Sequence, residues 1–341
     1  MKRQVGINGF GRIGRLALRT ILERYPDELE VVALNDIGDA ATNAYLFKYD
    51  STYGPFRGEV DVAADAIIVN GHPIRVFAER DPAEINWSGV DAELVIESTG
   101  RFTDATVAAK HLGGTVKKVI ISAPAKNEDV TLVLGVNDDA YDPEKHNVVS
   151  NASCTTNGLA PVAKVLNDSF GIQKGLLTTV HSMTNSQQLL DLASKDKRDS
   201  RSGAINIVPS TTGAAKAVGL VIPELKGKFT GMSFRVPTPT VSVVDFTAQL
   251  GRSVTVEEVN RAMRDAAGES NFKGILAYTD EALVSSDLKG NSYSSIFSAT
   301  DTVVIDDLVK IVAWYDNEWG YACRIADLVH MMLVKLPVAV A

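Results

Sequence analysis

Cys154 stands in the run SNASCTTNGLAP (150–161), between small hydroxylated residues and the start of an apolar helical pattern. A thiol at a helix N-terminus meets unpaired backbone N–H groups and the positive end of the macrodipole. Both favour the thiolate and predict a lowered pKa. Taken alone, such a cysteine is more often an inert small residue of the core than a nucleophile. His181, in TTVHSMT, is a base that would complete a Cys–His pair, or a structural histidine satisfied within a strand. Arg235 interrupts an apolar strand pattern and needs a partner, whereas Arg198 lies in the charged stretch SKDKRDSRSG (194–203). A guanidinium fork suits phosphate at either position. Thr212 and Gly213 precede the helical run AAKAVGL and offer a further anion-binding helix start.

A second constellation lies at the N-terminus. Gly9-Phe10-Gly11-Arg12-Ile13-Gly14 fits G-x-G-x-x-G, directly after the strand pattern QVGIN and opening a helix over 11–24. Glycines there permit a tight turn and close approach of a pyrophosphate to the helix N-terminus. Asp36 ends the next strand pattern, where a carboxylate meets adenosine ribose hydroxyls and repels a 2′-phosphate; this favours NAD over NADP. The two constellations are coherent together. A thiolate adds to an aldehyde, the tetrahedral adduct yields hydride to a nicotinamide, and an oxygen nucleophile cleaves the resulting thioester.

The elements that must position these residues fall into two patterns. A chain of 341 residues exceeds the usual size of one core, so two domains are expected. Up to Ser150, continuous apolar strands (31–36, 93–98, 117–122, 132–137) alternate with helical stretches, which predicts an α/β fold with an N-terminal Rossmann-type, doubly wound parallel sheet. A turn at Gly71-His72-Pro73 marks a small hairpin region. Beyond Asn151, long strands (176–184, 231–250, 308–316) separated by helices near 154–168, 212–220 and 255–267 predict an α+β domain with a mainly antiparallel sheet. The expected division is 1–150, 151–316, and a C-terminal helix in 317–341 returning to the first domain. A net charge of −8 argues against general nucleic-acid binding. No apolar run approaches the roughly 20 residues that cross a bilayer. Two cysteines make no disulfide framework, so a cytoplasmic location without a membrane partner is expected. No metal site is expected.

The chain resembles the phosphorylating glyceraldehyde-3-phosphate dehydrogenases through INGFGRIGR (7–15), LFKYDSTYG (46–54), ESTGRF (97–102), SNASCTTN (150–157), PSTTGAAKA (209–217), FRVPTPTVSVVD (234–245) and WYDNEWGY (314–321). The resemblance implies reversible oxidation and phosphorylation of glyceraldehyde 3-phosphate with inorganic phosphate, through a Cys154 hemithioacetal and thioester, with His181 activating the thiol. It implies that Ser153, Thr155, Arg198, Thr212 and Gly213 handle substrate and attacking phosphate, and that Thr184 and Arg235 hold the phosphate carried by the aldehyde. Arg12, Ile13, Asp36, Arg80 and Ser122 match cofactor contacts, and Asn317 the residue that fixes the nicotinamide carboxamide. A homotetramer is implied, with a loop near 185–205 bordering a neighbouring subunit's cofactor. The chain departs from many relatives at Gly158 (cysteine), Ala193 (proline after the retained Leu192) and Ser186 (aspartate), and the loop change keeps dual NAD/NADP use open. Erythrose-4-phosphate dehydrogenase and a non-catalytic dinucleotide-binding interaction protein are the alternatives. A Cys–His hydrolase or acyltransferase leaves the glycine motif and Asp36 unexplained.

Overall fold

A computed structural model describes residues 2–336, so residues 337–341 of the expected C-terminal segment lie outside the described residues. The chain forms two compact units, the first comprising Met1–Leu132, Asp139–Ala152 and Ala322–Ala341, the second Val133–Asp138 and Ser153–Tyr321.

The first unit runs β1 (Arg3–Asn8), α1 (Arg12–Arg24), β2 (Leu29–Asn35), α2 (Ala40–Lys48), β3 (Val60–Ala63), β4 (Ala66–Val69), β5 (His72–Phe77), β6 (Leu94–Glu97), α3 (Ala105–Ala108), β7 (Lys118–Ile121), β8 (Val130–Thr131) and β9 (Val148–Ser150). Among the described residues these strands make a nine-stranded sheet in the order β3-β4-β5-β2-β1-β6-β7-β9-β8. β1 pairs in parallel with both β2 and β6, so the chain order reverses at β1 and opens a crevice at the strand C-termini, where such sheets bind ligands. The central strands are apolar along their length because helices cover both faces; Val5, Ile7, Val95 and Ile96 are fully buried. β3, β4 and β5 form the hairpin edge, with β4 antiparallel to both of its neighbours. The run 132–137 is not a strand. Gly135 takes φ +80° and Asn137 folds back, its Oδ1 accepting from Val133 N–H at 2.8 Å, so this apolar stretch closes into a turn after β8.

The second unit contains α4 (Cys154–Phe170), β10 (Ile172–Ser182), β11 (Val208–Thr211), α5 (Ala214–Val221), β12 (Phe229–Val236), β13 (Ser242–Leu250), α6 (Val256–Ala267), β14 (Leu276–Thr279), β15 (Ser295–Ile305) and β16 (Leu308–Tyr315). Its seven strands, among the described residues, lie in the order β11-β12-β10-β13-β16-β15-β14. Pairing is mainly antiparallel; β10–β12 and β14–β15 are the parallel exceptions. The stretch 231–250 is two strands rather than one, because Pro237 and Pro239 withdraw ladder donors and Val241 turns to φ +67°. The last helix, α7 (Trp319–Val334), is tied to α1 within the first unit: Thr20 Oγ1 donates to the Ala322 carbonyl at 3.2 Å, and Arg24 pairs with Asp327 at 2.9 Å.

Candidate active site

Ser153 fixes where α4 begins. Its backbone is extended (φ −100°, ψ 161°) and its Oγ accepts from Thr156 N–H at 3.0 Å, so Cys154 becomes the first helical residue. β10 brings His181 to the same place. The ring is 4% exposed, with Nε2 3.5 Å from Cys154 Sγ. β12 runs beside β10 with Arg235 opposite His181, and the Arg235 guanidinium donates to His181 Nδ1. Cys154, His181 and Arg235, which lie far apart in sequence, therefore make one contact chain. Ala152 (φ +54°) precedes it in the left-handed region, as Val241 does Ser242; such strain in residues other than glycine gathers at functional sites.

The electrostatics correct the expectation of a depressed thiol pKa. Burial pushes the Cys154 thiol up, while Arg235, the Thr155 hydroxyl and the amides of residues 154 and 155 pull the other way without prevailing. Burial, and then the Arg235 charge, push His181 down to about 3. Both respond to desolvation, which disfavours whichever form is charged.

The other expected substrate residues divide by what their side chains already do. Thr155 Oγ1 is held at 2.8 Å by the Tyr315 hydroxyl, which also meets Thr179 Oγ1 at 3.0 Å; this buried knot braces the helix start. Thr184 lies just past β10, its hydroxyl 2.9 Å from Ser186 Oγ and 3.2 Å from Gln187 Oε1. Gly213 caps α5 without a side chain, and Thr212 Oγ1 accepts from Ala214 N–H at 3.2 Å. Arg198 is exposed on the long loop, its backbone N–H bonded to Asp196 at 2.7 Å, and is not drawn into the Cys154 cluster. Asn317, 5% exposed, is oriented by two hydroxyls: Ser182 Oγ and Ser242 Oγ both donate to its Oδ1 at 2.9 Å, which fixes Nδ2 as the donor side of the amide. Tyr315, Ser182 and Ser242 were invisible as site residues in sequence; only the sheet register brings them in.

In the first unit, the glycine turn has the geometry a dinucleotide needs. Gly9 takes φ +91°, and a Cβ on Gly14 would run into the Gly9 carbonyl oxygen, so the turn and helix close up only without side chains there. No side chain caps the start of α1 at Gly11, which leaves its first turn open to an anion. Asp36 lies at the end of β2 with each oxygen accepting one backbone N–H, from Phe10 and from Gly38, both at 2.9 Å. A cavity of about 340 Å³ is lined by Gly9, Gly11, Asp36, Ile37, Arg80 and Thr99, among others. Beneath it, buried Glu97 accepts from Asn8 Nδ2 and from Thr99 N–H (2.9 Å), and meets His111 Nε2 at 3.1 Å. This network shapes the Ser98–Thr99 wall, and the sequence reading assigned it no role. The Arg12 guanidinium is committed to Asp50 at 2.5 Å, and Phe10 is a core ring 6.0 Å from Phe47, so these two are placed to offer backbone rather than side chain. Ile13 is half-buried in the first turn of α1, and Ser122 follows β7; neither lines the cavity.

The donor set fits NAD: an uncapped helix start for a pyrophosphate, and a carboxylate whose backbone bonds fix it in place. Among the described residues no cluster of histidine, cysteine and carboxylate groups is arranged to hold a metal ion.

Residues 3–105 match the family model for the glyceraldehyde 3-phosphate dehydrogenase NAD binding domain, and residues 153–317 match that for its C-terminal domain. The chain is 59% identical over 329 residues to glyceraldehyde-3-phosphate dehydrogenase of Geobacillus stearothermophilus, covering 96% of this chain and 97% of the relative. It is 56% identical to glyceraldehyde-3-phosphate dehydrogenase 1 of Bacillus cereus (97% and 99% covered) and 54% identical to glyceraldehyde-3-phosphate dehydrogenase 2 of Streptomyces avermitilis (96% and 98% covered). These names do not favour the tetrose-phosphate or non-catalytic alternatives. The chain belongs to the glyceraldehyde-3-phosphate dehydrogenase family.

Proposed function

We propose that this member of the family catalyses the reversible, NAD-dependent oxidative phosphorylation of glyceraldehyde 3-phosphate to 1,3-bisphosphoglycerate, as in glycolysis or gluconeogenesis. The observation that carries the reading is the contact of Cys154 Sγ with His181 Nε2 at the start of α4, beside an arginine with donors to spare. Sγ adds to the aldehyde carbon as its proton passes to His181, and the carbonyl oxygen becomes the hydroxyl of a hemithioacetal. The N-terminal amides of α4 stabilise negative charge on that oxygen. His181 then takes the hydroxyl proton as the carbon is oxidised. NAD, when bound, supplies the hydride acceptor for that oxidation. An oxygen of inorganic phosphate attacks the thioester carbon, the C–S bond breaks, and Cys154 leaves as thiolate.

Arg235 and Thr184 are proposed to hold the phosphate of the aldehyde. Ser153, Arg198, Thr212 and Gly213 are proposed to receive the attacking phosphate, and Thr155 to act through its backbone. Gly9, Phe10, Gly11, Arg12, Ile13 and Gly14 would cradle the pyrophosphate of NAD, and Asp36 the adenosine ribose. Arg80 and Ser122 would flank the cofactor and Asn317 orient its carboxamide, with NADP the less favoured cofactor because of the Asp36 charge. Exposed Leu189, Leu190, Leu192, Ile205 and Ile207 on the long loop support a homotetramer, and light scattering tests it. Among the described residues no helix is long and apolar enough to cross a membrane, and the family's chemistry supports a cytoplasmic enzyme.

The test is a spectrophotometric assay of the purified chain. NADH should appear only with aldehyde and inorganic phosphate together, and Cys154→Ser should abolish turnover while retaining NAD binding. An equal rate without phosphate would overturn the phosphorylating mechanism.

A further inference from the structure

We propose that Glu97 is a positioning residue for the adenosine end of the cofactor: this one buried carboxylate ties the two walls of the nucleotide cavity together from beneath, and Trp87 and His111 set the hydrogen-bond polarity that holds it there. The inference rests on the cofactor placement proposed above and deepens it by naming what fixes the walls before the cofactor arrives.

One wall of the cavity is built by Asp36 and Ile37 after β2 with Glu79 and Arg80 after β5, the other by Ser98, Thr99 and Phe102 after β6. A continuous chain of side-chain bonds runs between them. The Thr99 N–H donates to Glu97 Oε1 at 2.9 Å, and the Thr99 hydroxyl donates to the same oxygen. Glu97 Oε2 accepts from Asn8 Nδ2, and Asn8 Oδ1 accepts from Asn35 Nδ2 at 2.8 Å. Asn35 then clasps the Glu79 backbone, accepting its N–H at 2.8 Å and donating to its carbonyl at 2.9 Å. Asn8, Asn35 and Glu97 are all buried, so the chain runs under the cavity and away from bulk water.

The polarity of this chain is set from behind. Trp87 Nε1, which only donates, lies 3.0 Å from His111 Nδ1, so that nitrogen accepts and the ring proton sits on Nε2, 3.1 Å from Glu97 Oε2. All four groups around the carboxylate are therefore donors, and none of them is a cation. Two oxygens facing four donors suit an ionised carboxylate and no amide, because an amide brings a donor of its own and reverses a bond at one wall or the other. Burying a charge on neutral donors alone is unfavourable for the fold. Here it fixes Thr99 and Glu79 on opposite sides of the space that Asp36 also lines. Walls already ordered in the free protein add no ordering penalty to binding.

The experiment measures NAD and ADP binding to the full chain by calorimetry. The indole N–H resonance of Trp87, assigned by its loss in Trp87→Phe, gives a second reading. In Glu97→Gln the affinities for NAD and for ADP should fall together by about tenfold, the equivalent of one hydrogen bond to a charged group. The His111 proton should move to Nδ1, away from the new amide donor, and displace the Trp87 resonance. Adding Asn8→Asp to Glu97→Gln returns an acceptor to the junction where Asn8 Nδ2 stands 3.3 Å from His111 Nε2, while the other new oxygen still accepts from Asn35. The double variant should recover most of the lost affinity and the original resonance. A merely structural Glu97 gives neither recovery, since a second altered core residue adds to the damage of the first. Unchanged binding in Glu97→Gln, or a double variant no better than the single one, overturns the proposal. Hydrogen exchange in the unaltered chain tests it with no variant to fold: the Thr99 and Glu79 amides should be protected before any ligand is added, and rapid exchange at either overturns it. None of these readings requires turnover. Protected walls in a chain that binds neither ligand overturn the cofactor placement alone, and normal NAD binding by Glu97→Gln overturns the positioning role alone.

Discussion

Replacing Asp36 by asparagine separates what that carboxylate does for the fold from what it does for a cofactor. In the free protein its two oxygens each accept a backbone N–H at 2.9 Å, from Phe10 in the glycine turn and Gly38 after β2. Asparagine keeps one carbonyl oxygen and presents an NH₂ to the other amide, so one of these bonds is lost at a cost of about 1–3 kcal/mol. On the ligand side, a ribose hydroxyl bonded to a carboxylate is worth about 1.5–3 kcal/mol. At about 1.36 kcal/mol per tenfold, losing one such bond weakens NAD binding about 10- to 150-fold. NADP should lose less, because the carboxylate that held the ribose also repels a 2′-phosphate. Calorimetric titration of both cofactors, with denaturant unfolding of the same preparations, reads all three effects. The expected pattern is lower stability, much weaker NAD binding and a smaller NAD-to-NADP ratio. Equal losses for the two cofactors would show that Asp36 acts only by bracing the glycine turn, and would refute the ribose assignment.

Gly158→Cys would place a Cβ 2.9 Å from the Tyr315 ring; overpacking should destabilise the chain by about 1–3 kcal/mol, read as a lower denaturant midpoint. His181, with its folded pKa near 3 and an unfolded value near 6.5, binds a proton in the unfolded chain first. Its contribution is therefore fully present above about pH 6.5 and lost as pH falls toward 3, with a slope of at most about 1.4 kcal/mol per pH unit. Unfolding midpoints between pH 4.5 and 6.5 should fall less steeply in His181→Gln. Dilute peroxide should oxidise Cys154 and spare Cys323, which is 1% exposed with its thiol pushed up to about 12; mass spectrometry finding Cys323 modified in folded protein would contradict this.

Much of the frame was legible in sequence because it rests on short-range rules. The glycine turn, the strand before it and the acid after β2 are local, and they fix the nucleotide crevice within a few residues. The helix start at Cys154 is likewise written in Ser153 and Thr156. What failed was local chemistry overruling hydrophobic runs: Gly135 and Asn137 turned an apolar stretch away from the sheet, and two prolines with Val241 cut a twenty-residue strand pattern in half. What stayed hidden was register. That His181 faces Arg235 depends on how β10 and β12 pair, and that Tyr315 braces Thr155 depends on where β16 lies. No spacing in the chain encodes either contact.

The thiol shows how magnitudes decide between two sound arguments. A helix N-terminus stabilises a nearby anion by about 0.3–1 kcal/mol, up to about 2 when partly buried. Desolvation of a buried ionisable group shifts its pKa by up to about 3–5 units, several kcal/mol in the opposite direction. At Cys154 burial prevails, and the imidazole that would compensate is itself buried and occupied by Arg235. His181, which takes the thiol proton, is already in contact with Sγ, so activation requires no large movement of the backbone.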